Sequence, residues 1–161
     1  MNLKSIEDIV QSVSIDLNEK DILNILQNRK RWPYRYPWGQ PSIEIIAENE
    51  YLVSNLFFKS DSYLDFERWK KFYDLGFTTI ISNVLDLNED LRLLNKKLTE
   101  HTGLVINGNL YFSKPGRRAS FSYHTHEYDV IAKQIYGDAE WKIDEKIYNL
   151  KPGNTCIIVV K

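Results

Sequence analysis

The last third of the chain constrains the fold most, because short strand-like segments follow one another there with only turn sequences between them. The segments are 104–113, 119–123, 128–136, 140–143, 146–150 and 155–160. The sequences that separate them include Lys-Pro-Gly, Gly-Asp, Asp-Glu and Lys-Pro-Gly-Asn, all rich in turn-forming residues. Consecutive short strands joined by tight turns predict antiparallel pairing in a barrel or sandwich.

The first 103 residues have a helical character instead. Ser5 and Asn18 are predicted to cap two short helices, and two longer amphipathic helices are predicted over 61–75 and 88–101. Strands are expected at 42–47 and 77–84, while 51–58 fits either a strand or a helix. The sequence therefore predicts one α+β domain over 1–161, with a helical lead-in over 1–103 and barrel strands over 104–161.

Charge and composition argue against two classes of partner. The formal net charge is −1, so no strong field attracts nucleic acid or an anionic membrane. No apolar run approaches the ~20 residues that a bilayer-spanning helix needs. The chain has one cysteine, Cys156, which cannot form an internal disulfide, and its N-terminus does not resemble a signal peptide. A cytoplasmic location is expected.

An aromatic segment, Trp-Pro-Tyr-Arg-Tyr-Pro-Trp at 32–38, stands between the predicted helices and the first strand. Its prolines exclude regular secondary structure. Stacking on a base or sugar is one interpretation. Packing of the rings over one end of a barrel is the other.

The strongest chemical signal is a pair of histidines, His124 and His126. On a strand, a spacing of two puts both imidazoles on the same face. Adjacent imidazoles suit Fe, Zn, Cu, Ni or Mn. The purely structural alternative is two partly exposed polar residues at the entrance of a strand.

The residues around this pair follow the order of a known signature: Asn109, Tyr111, Pro115, Gly116, His124, Asp129, Val130, Gln134, Gly137 and Trp141. This order resembles the central motif of the JmjC-type cupins related to ribosomal oxygenases. Lys-Pro-Gly-Asn at 151–154 resembles the cupin turn, and 76–103 resembles the family's strand-and-helix lead-in. The resemblance implies a double-stranded β-helix, or jelly roll, that is incomplete at the C-terminus.

The resemblance also implies a site. In that family a His-x-Asp pair and a distal His bind Fe(II) and leave positions for 2-oxoglutarate and oxygen. His124 matches the first ligand and His126 stands at the Asp position, as in cupins outside the JmjC branch that use His-x-His. Ala139 stands where the family has the basic residue that binds 2-oxoglutarate, and Lys142 is expected on the opposite strand face. The chain also ends before the position of the distal His. The resemblance implies Fe(II), with Mn, Ni or Zn as alternatives, while Ala139 and the absent distal His leave 2-oxoglutarate with less support.

Further residues are candidates for this site. The candidates for a third ligand or for the pocket are Glu127, Tyr128, Asp129 and Gln134. The candidates for a co-substrate or substrate pocket are Asn109, Tyr111, Arg117, Arg118 and Trp141. No catalytic residue can be assigned from the sequence.

Two functions of different classes follow. The first is a mononuclear non-haem Fe(II) oxygenase, a hydroxylase, acting on a protein side chain or a small molecule. The second is a non-catalytic cupin module that binds a protein or ligand. An incomplete barrel leaves an apolar edge at 155–160, which predicts a homodimer or another partner there.

Overall fold

The structure is a computed structural model, and it describes residues 3–28, 42–115, 121 and 127–158. Its α-helices are α1 (Leu3–Ser12), α2 (Glu19–Asn28), α3 (Phe66–Asp74) and α4 (Glu89–Thr102). Its strands are β1 (Ile43–Ala47), β2 (Glu50–Tyr51), β3 (Thr78–Ser82), β4 (Asn109–Phe112), β5 (Val130–Lys133), β6 (Ala139–Ile143), β7 (Lys146–Leu150) and β8 (Thr155–Ile158). Every strand pair is antiparallel. The predicted α+β class is confirmed.

The chain divides into two compact units, each assembled from separate stretches of sequence. The first unit consists of Met1–Glu19, Leu85–Asn107 and Thr125–Lys161, and the second of Lys20–Val84 and Gly108–His124. In the part of each that the structure describes, the second unit holds the sheet β2-β1-β3-β4, and the first holds the two-stranded sheets β5-β8 and β6-β7. No closed barrel occurs among the described strands.

In the second unit, α3 packs on one face of the four-stranded sheet. Trp69 is 1% exposed, and its indole Nε1 donates a 2.8 Å hydrogen bond to the hydroxyl of Thr79 on β3. The rings of Tyr73 and Phe112 stack with centroids 5.0 Å apart. Since Thr79 and Phe112 are cross-strand partners, these contacts fix α3 over the same face of β3 and β4.

In the first unit, α1 packs against α4 through a buried apolar cluster. Its buried members are Ile6, Val10, Val13, Leu94 and Leu98. Polar contacts hold α1 to the β5-β8 sheet: the side-chain amide of Gln11 donates to the Thr155 hydroxyl at 2.8 Å. That hydroxyl in turn donates to the Glu7 carboxylate at 3.0 Å.

The observed helix ends confirm the predicted boundaries of α4 and contradict two other predictions. Helix α4 agrees with its prediction: the Asn88 side chain accepts from the Leu91 N–H at 2.8 Å, and Gly103 ends the helix with a φ of 68°. The predicted start of α3 near 61 was wrong, because the Asp65 side chain caps the helix by accepting from Arg68 N. Ser5 lies inside α1, so its prediction as a cap was also wrong.

Several strands are shorter than predicted. Strand β4 covers 109–112 rather than 104–113, since its partner β3 ends at Ser82, opposite Asn109. Strand β5 covers 130–133 rather than 128–136, and the ambiguous stretch 51–58 contains only the end of β2 and a short 3-10 helix, Ser54–Leu56. Strand 119–123, apart from residue 121, and the aromatic segment 32–38 lie outside the described residues. None of the described helices is long and apolar enough to cross a membrane.

Candidate functional site

The central residues of the predicted metal site lie outside the described part of the chain. These are His124 and His126, together with the pocket candidates Arg117 and Arg118. Among the described residues, no group of three His, Cys, Asp or Glu side chains is placed to hold a metal ion. The His pair therefore stays a prediction, and the described residues on either side of it define the surroundings.

The residues directly after the pair precede β5 and are exposed. Glu127, Tyr128 and Asp129 all lie on the surface, with 63% of Tyr128 exposed. From the next residue the chain is regular: Val130 pairs with Ile158 and Lys133 with Thr155. A third ligand from this segment would come from its exposed stretch rather than from the paired strand.

Gln134 connects β5 to the predicted cupin turn. Its backbone N–H donates to the carbonyl oxygen of Asn154 at 2.9 Å, and its own carbonyl accepts from Gly153 N at 2.8 Å. Its side-chain amide donates to the carbonyl oxygens of Tyr136 at 2.7 Å and Gly137 at 3.3 Å. Gln134 thus has a structural role, because it connects the turn at 136–137 to the turn at 153–154.

The four-stranded sheet has a polar face on the side opposite to α3. Cross-strand partners share a face, and successive residues alternate. By the observed register, Ser42, Ser82 and Asn109 form one row across β1, β3 and β4, and Glu44, Ile80 and Tyr111 form the next. We call these six residues the polar face.

The first row of the polar face is unusual because it is polar and buried. Ser42 is 3% exposed and Ser82 is 0% exposed. The side-chain oxygen Oδ1 of Asn109 is buried and accepts no hydrogen bond from the residues that the structure describes. Buried polar atoms are nearly always hydrogen-bonded, and leaving one unsatisfied costs about 1–3 kcal/mol. An acceptor in this state is suited to a donor from a ligand.

In the second row, Glu44 and Tyr111 present larger polar groups on either side of the buried Ile80. Tyr111 is 51% exposed and makes an edge-on contact with Phe121, with ring centroids 5.8 Å apart. Tyr51 on β2 extends this side of the sheet, because it is the cross-strand partner of Ile46. Burial, and after it the Glu44 carboxylate, raise the pKa of the Tyr51 hydroxyl, so it remains protonated at neutral pH.

The β6-β7 hairpin carries the remaining candidate, Trp141, together with the substituted anchor position. Trp141 is opposite Tyr148, and Ala139 is opposite Leu150 on the same face. Lys142 lies on the other face of β6, which is exposed. The face that carries Ala139 thus presents no basic side chain from β6, and this position does not fit the carboxylate of 2-oxoglutarate.

The predicted site residues therefore belong to both units. Asn109 and Tyr111 are brought together on the polar face of the second unit, whereas Gln134 and Trp141 belong to the first. Sequence reasoning missed Ser42, Glu44 and Ser82. The sequence feature that could have identified them is a polar residue at alternate positions of segments whose other residues predict buried strands.

Comparison of the chain with protein-family models, with curated proteins and with solved structures found no match.

Proposed function

We propose that this chain is a cupin-like metal-binding protein of the JmjC type, in which His124 and His126 hold a mononuclear Fe(II) in an oxygenase scaffold. The order of the motif residues is the sequence support. The structural observation that supports the proposal is the buried amide oxygen of Asn109, which accepts no hydrogen bond from the described residues. A buried acceptor without a partner among the described residues is suited to a donor from a polar ligand.

The proposal includes the double-stranded β-helix. The His segment lies between β4 and β5, and each of these strands belongs to an antiparallel sheet. The backbone of the Lys-Pro-Gly-Asn turn is hydrogen-bonded to the backbone of Gln134. In such a barrel Asn109 and Tyr111, which share the polar face, would be candidates to line the pocket. Their roles are to bind and orient the co-substrate or substrate by hydrogen bonds.

The metal is expected to be Fe(II), since two imidazoles with further open positions suit it, and Mn, Ni and Zn accept the same ligands. When bound, Fe(II) would supply oxygen activation. Glu127, Tyr128 and Asp129 are the candidates for a third ligand that are nearest to the pair in sequence, and Gln134 is less suited because its amide already serves the turn.

The chain differs most from the JmjC enzymes at the position that binds the co-substrate. Ala139 provides no charge at the anchor position, so 2-oxoglutarate would need Arg117 or Arg118 as its carboxylate partner. A cupin reaction that uses another small substrate needs neither arginine.

The test is metal analysis of the purified protein together with an Fe(II) titration, beside His124→Ala and His126→Ala variants. His101→Ala is the matched control, because His101 lies on α4, and its contact is with Ser5 at 2.9 Å. Near-stoichiometric metal in the wild type and the control, lost in both site variants, supports the proposal. Equal metal content in all four proteins rejects it.

A second candidate function is a non-catalytic cupin module that binds a protein or ligand. The observation that favours it is the uncharged Ala139 face of the hairpin, which lacks the basic anchor of an oxygenase. Turnover assays with 2-oxoglutarate on metal-loaded protein distinguish the two: consumption that depends on His124 favours the oxygenase, and bound metal without consumption favours the module.

We further propose a cytoplasmic location and a homodimer through the C-terminal edge. One edge of β8 is paired with β5, so such a dimer would use its opposite edge. Cys156 on β8 is buried, and burial raises the pKa of its thiol, which suits a structural role and not a redox role.

A further inference from the structure

Asn107 is the only asparagine of the chain that is followed by glycine. An asparagine in this position can lose its side-chain amide without an enzyme, because the backbone nitrogen of the next residue attacks the side-chain carbonyl carbon Cγ. The attack needs a backbone that can rotate and a next residue whose side chain is not in the way, and glycine meets both needs. The pair Asn107-Gly108 is therefore the place in the sequence where this chemistry meets least steric resistance.

The structure places this pair in a position where the attack is possible. Asn107 and Gly108 lie between the end of α4 at Thr102 and the start of β4 at Asn109, outside both elements. Asn107 is exposed, so water reaches the reacting atoms. Within the described part of the chain, the backbone N–H of Gly108 donates to no other backbone group. The attacking nitrogen therefore has no such hydrogen bond to break.

Two other asparagines show the contrast. The side-chain oxygen of Asn88 accepts from the Leu91 N–H at 2.8 Å, and that of Asn154 accepts from the Lys151 N–H at 2.9 Å. Each of these two asparagines is also followed by a residue with a side chain, glutamate in the first case and threonine in the second. Their amides are held in caps and turns, and the next nitrogen is crowded, so both should react slowly.

We propose that Asn107 is a site of spontaneous deamidation. A bond forms between the backbone nitrogen of Gly108 and Cγ of Asn107, and the bond from Cγ to Nδ2 breaks. The proton of the attacking nitrogen leaves with the amide group as ammonia, and a cyclic imide remains. Water then opens the imide at one or the other carbonyl, which gives aspartate or isoaspartate at position 107.

The products change the chain next to the polar face. Both put a carboxylate at 107, and isoaspartate also lengthens the main chain by one carbon. The change falls just before Asn109, which is the cross-strand partner of Ser82, and beside the 2.9 Å hydrogen bond from Val84 N to the carbonyl oxygen of Gly108. The longer chain must shift this bond or the start of β4, so aged protein should unfold more easily. This inference does not depend on bound metal.

The test is incubation of the full chain at mildly alkaline pH and physiological temperature, followed by proteolysis and mass spectrometry. The peptide that contains Asn107 should gain the mass that separates an acid from an amide. Its rate of conversion should rise with pH, because the attacking nitrogen reacts in its deprotonated form. The peptide that contains Asn154 is the internal control and should keep its mass.

Gly108→Ala is the matched variant. The φ of Gly108 is not positive, so alanine can adopt the same backbone. Its methyl group crowds the attacking nitrogen, and conversion at Asn107 should slow about tenfold or more. Circular dichroism checks that the variant is folded, and its resistance to urea should not change during the incubation. A wild type that keeps its mass, a variant that converts as fast as the wild type, or equal conversion at Asn154 would each overturn the proposal.

Discussion

The ammonium group of Lys133 on β5 donates a 2.7 Å hydrogen bond to the carbonyl oxygen of Val10 in α1. A second bond, of 2.6 Å, reaches the carbonyl oxygen of Val13 just beyond the helix. The last carbonyls of a helix have no partner within it and carry partial negative charge, so a lysine here caps the helix. One side chain thereby joins the N-terminal helix to a strand more than a hundred residues away.

Replacing Lys133 with Met should therefore destabilise the first unit. The variant keeps most of the aliphatic volume and removes two charged hydrogen bonds to buried carbonyls, so the free energy of unfolding should fall by about 1–3 kcal/mol. Urea denaturation measures the change. Lys146→Met on the exposed strand β7 is the control and should stay within about 0.5 kcal/mol of the wild type. If both substitutions lowered the free energy of unfolding equally, Lys133 would have no special role as a helix cap.

The same lysine should give the protein a measurable pH dependence. Burial lowers the pKa of Lys133 below its usual value, so between that lowered pKa and the unfolded value near 10.5 the unfolded state binds more protons. The free energy of unfolding of the wild type, relative to Lys133→Met, should therefore rise as the pH increases through this window. Denaturation curves from about pH 8 to about pH 10.5 test the sign. If this difference in the free energy of unfolding fell instead, the hydrogen bonds to the carbonyls would raise the pKa of Lys133 more than burial lowers it.

Thr79 should matter mainly through its hydroxyl. Thr79→Val keeps the shape of the side chain but leaves the buried Nε1 of Trp69 without an acceptor, which should cost about 1–3 kcal/mol of stability. Thr79→Ser retains the acceptor and loses a methyl group, at a cost of about 1 kcal/mol. Thermal and chemical denaturation should rank valine as the more damaging substitution. The reverse order would show that packing, and not the hydrogen bond, decides the effect.

Two asparagine substitutions should separate a structural role from a binding role. Asn88→Ala removes the cap of α4 and should cost about 1 kcal/mol. Asn109→Ala removes an amide oxygen that accepts no hydrogen bond from the described residues, so the free energy of unfolding should not fall and should rise by up to about 1–3 kcal/mol. Denaturation of both variants tests this. If Asn109→Ala lost more free energy of unfolding than Asn88→Ala, Asn109 would have a structural role and not a binding role.

The thiol of Cys156 should react slowly in the folded protein. It is 5% exposed, and burial raises its pKa, so both access and the thiolate fraction are low. The rate of modification by a disulfide reagent at neutral pH should be at least about a hundredfold lower than in urea-unfolded protein. Similar rates in both states would mean that the β5-β8 sheet opens readily.

Part of this structure could be predicted because the responsible interactions are local. Helix α4 follows from its apolar spacing, the cap at Asn88 and the glycine at 103, all within one short stretch. The hairpin β6-β7 follows in the same way from alternation around the Asp-Glu turn. The start of α3 could not be predicted, because the backbone N–H of Asp65 is held by the carbonyl of Phe57, outside the helical pattern.

The sequence by itself determined the α+β class, the antiparallel strands and the candidate motif, since periodicity, caps and turns act over a few residues. Only the tertiary structure decided which polar side chains are buried and which carbonyls are capped. The burial of Ser82 beside Asn109 depends on the register of β3 and β4, and the task of Lys133 depends on where α1 lies. Such contacts join residues that are distant along the chain, and no local pattern encodes the free energy of bringing them together.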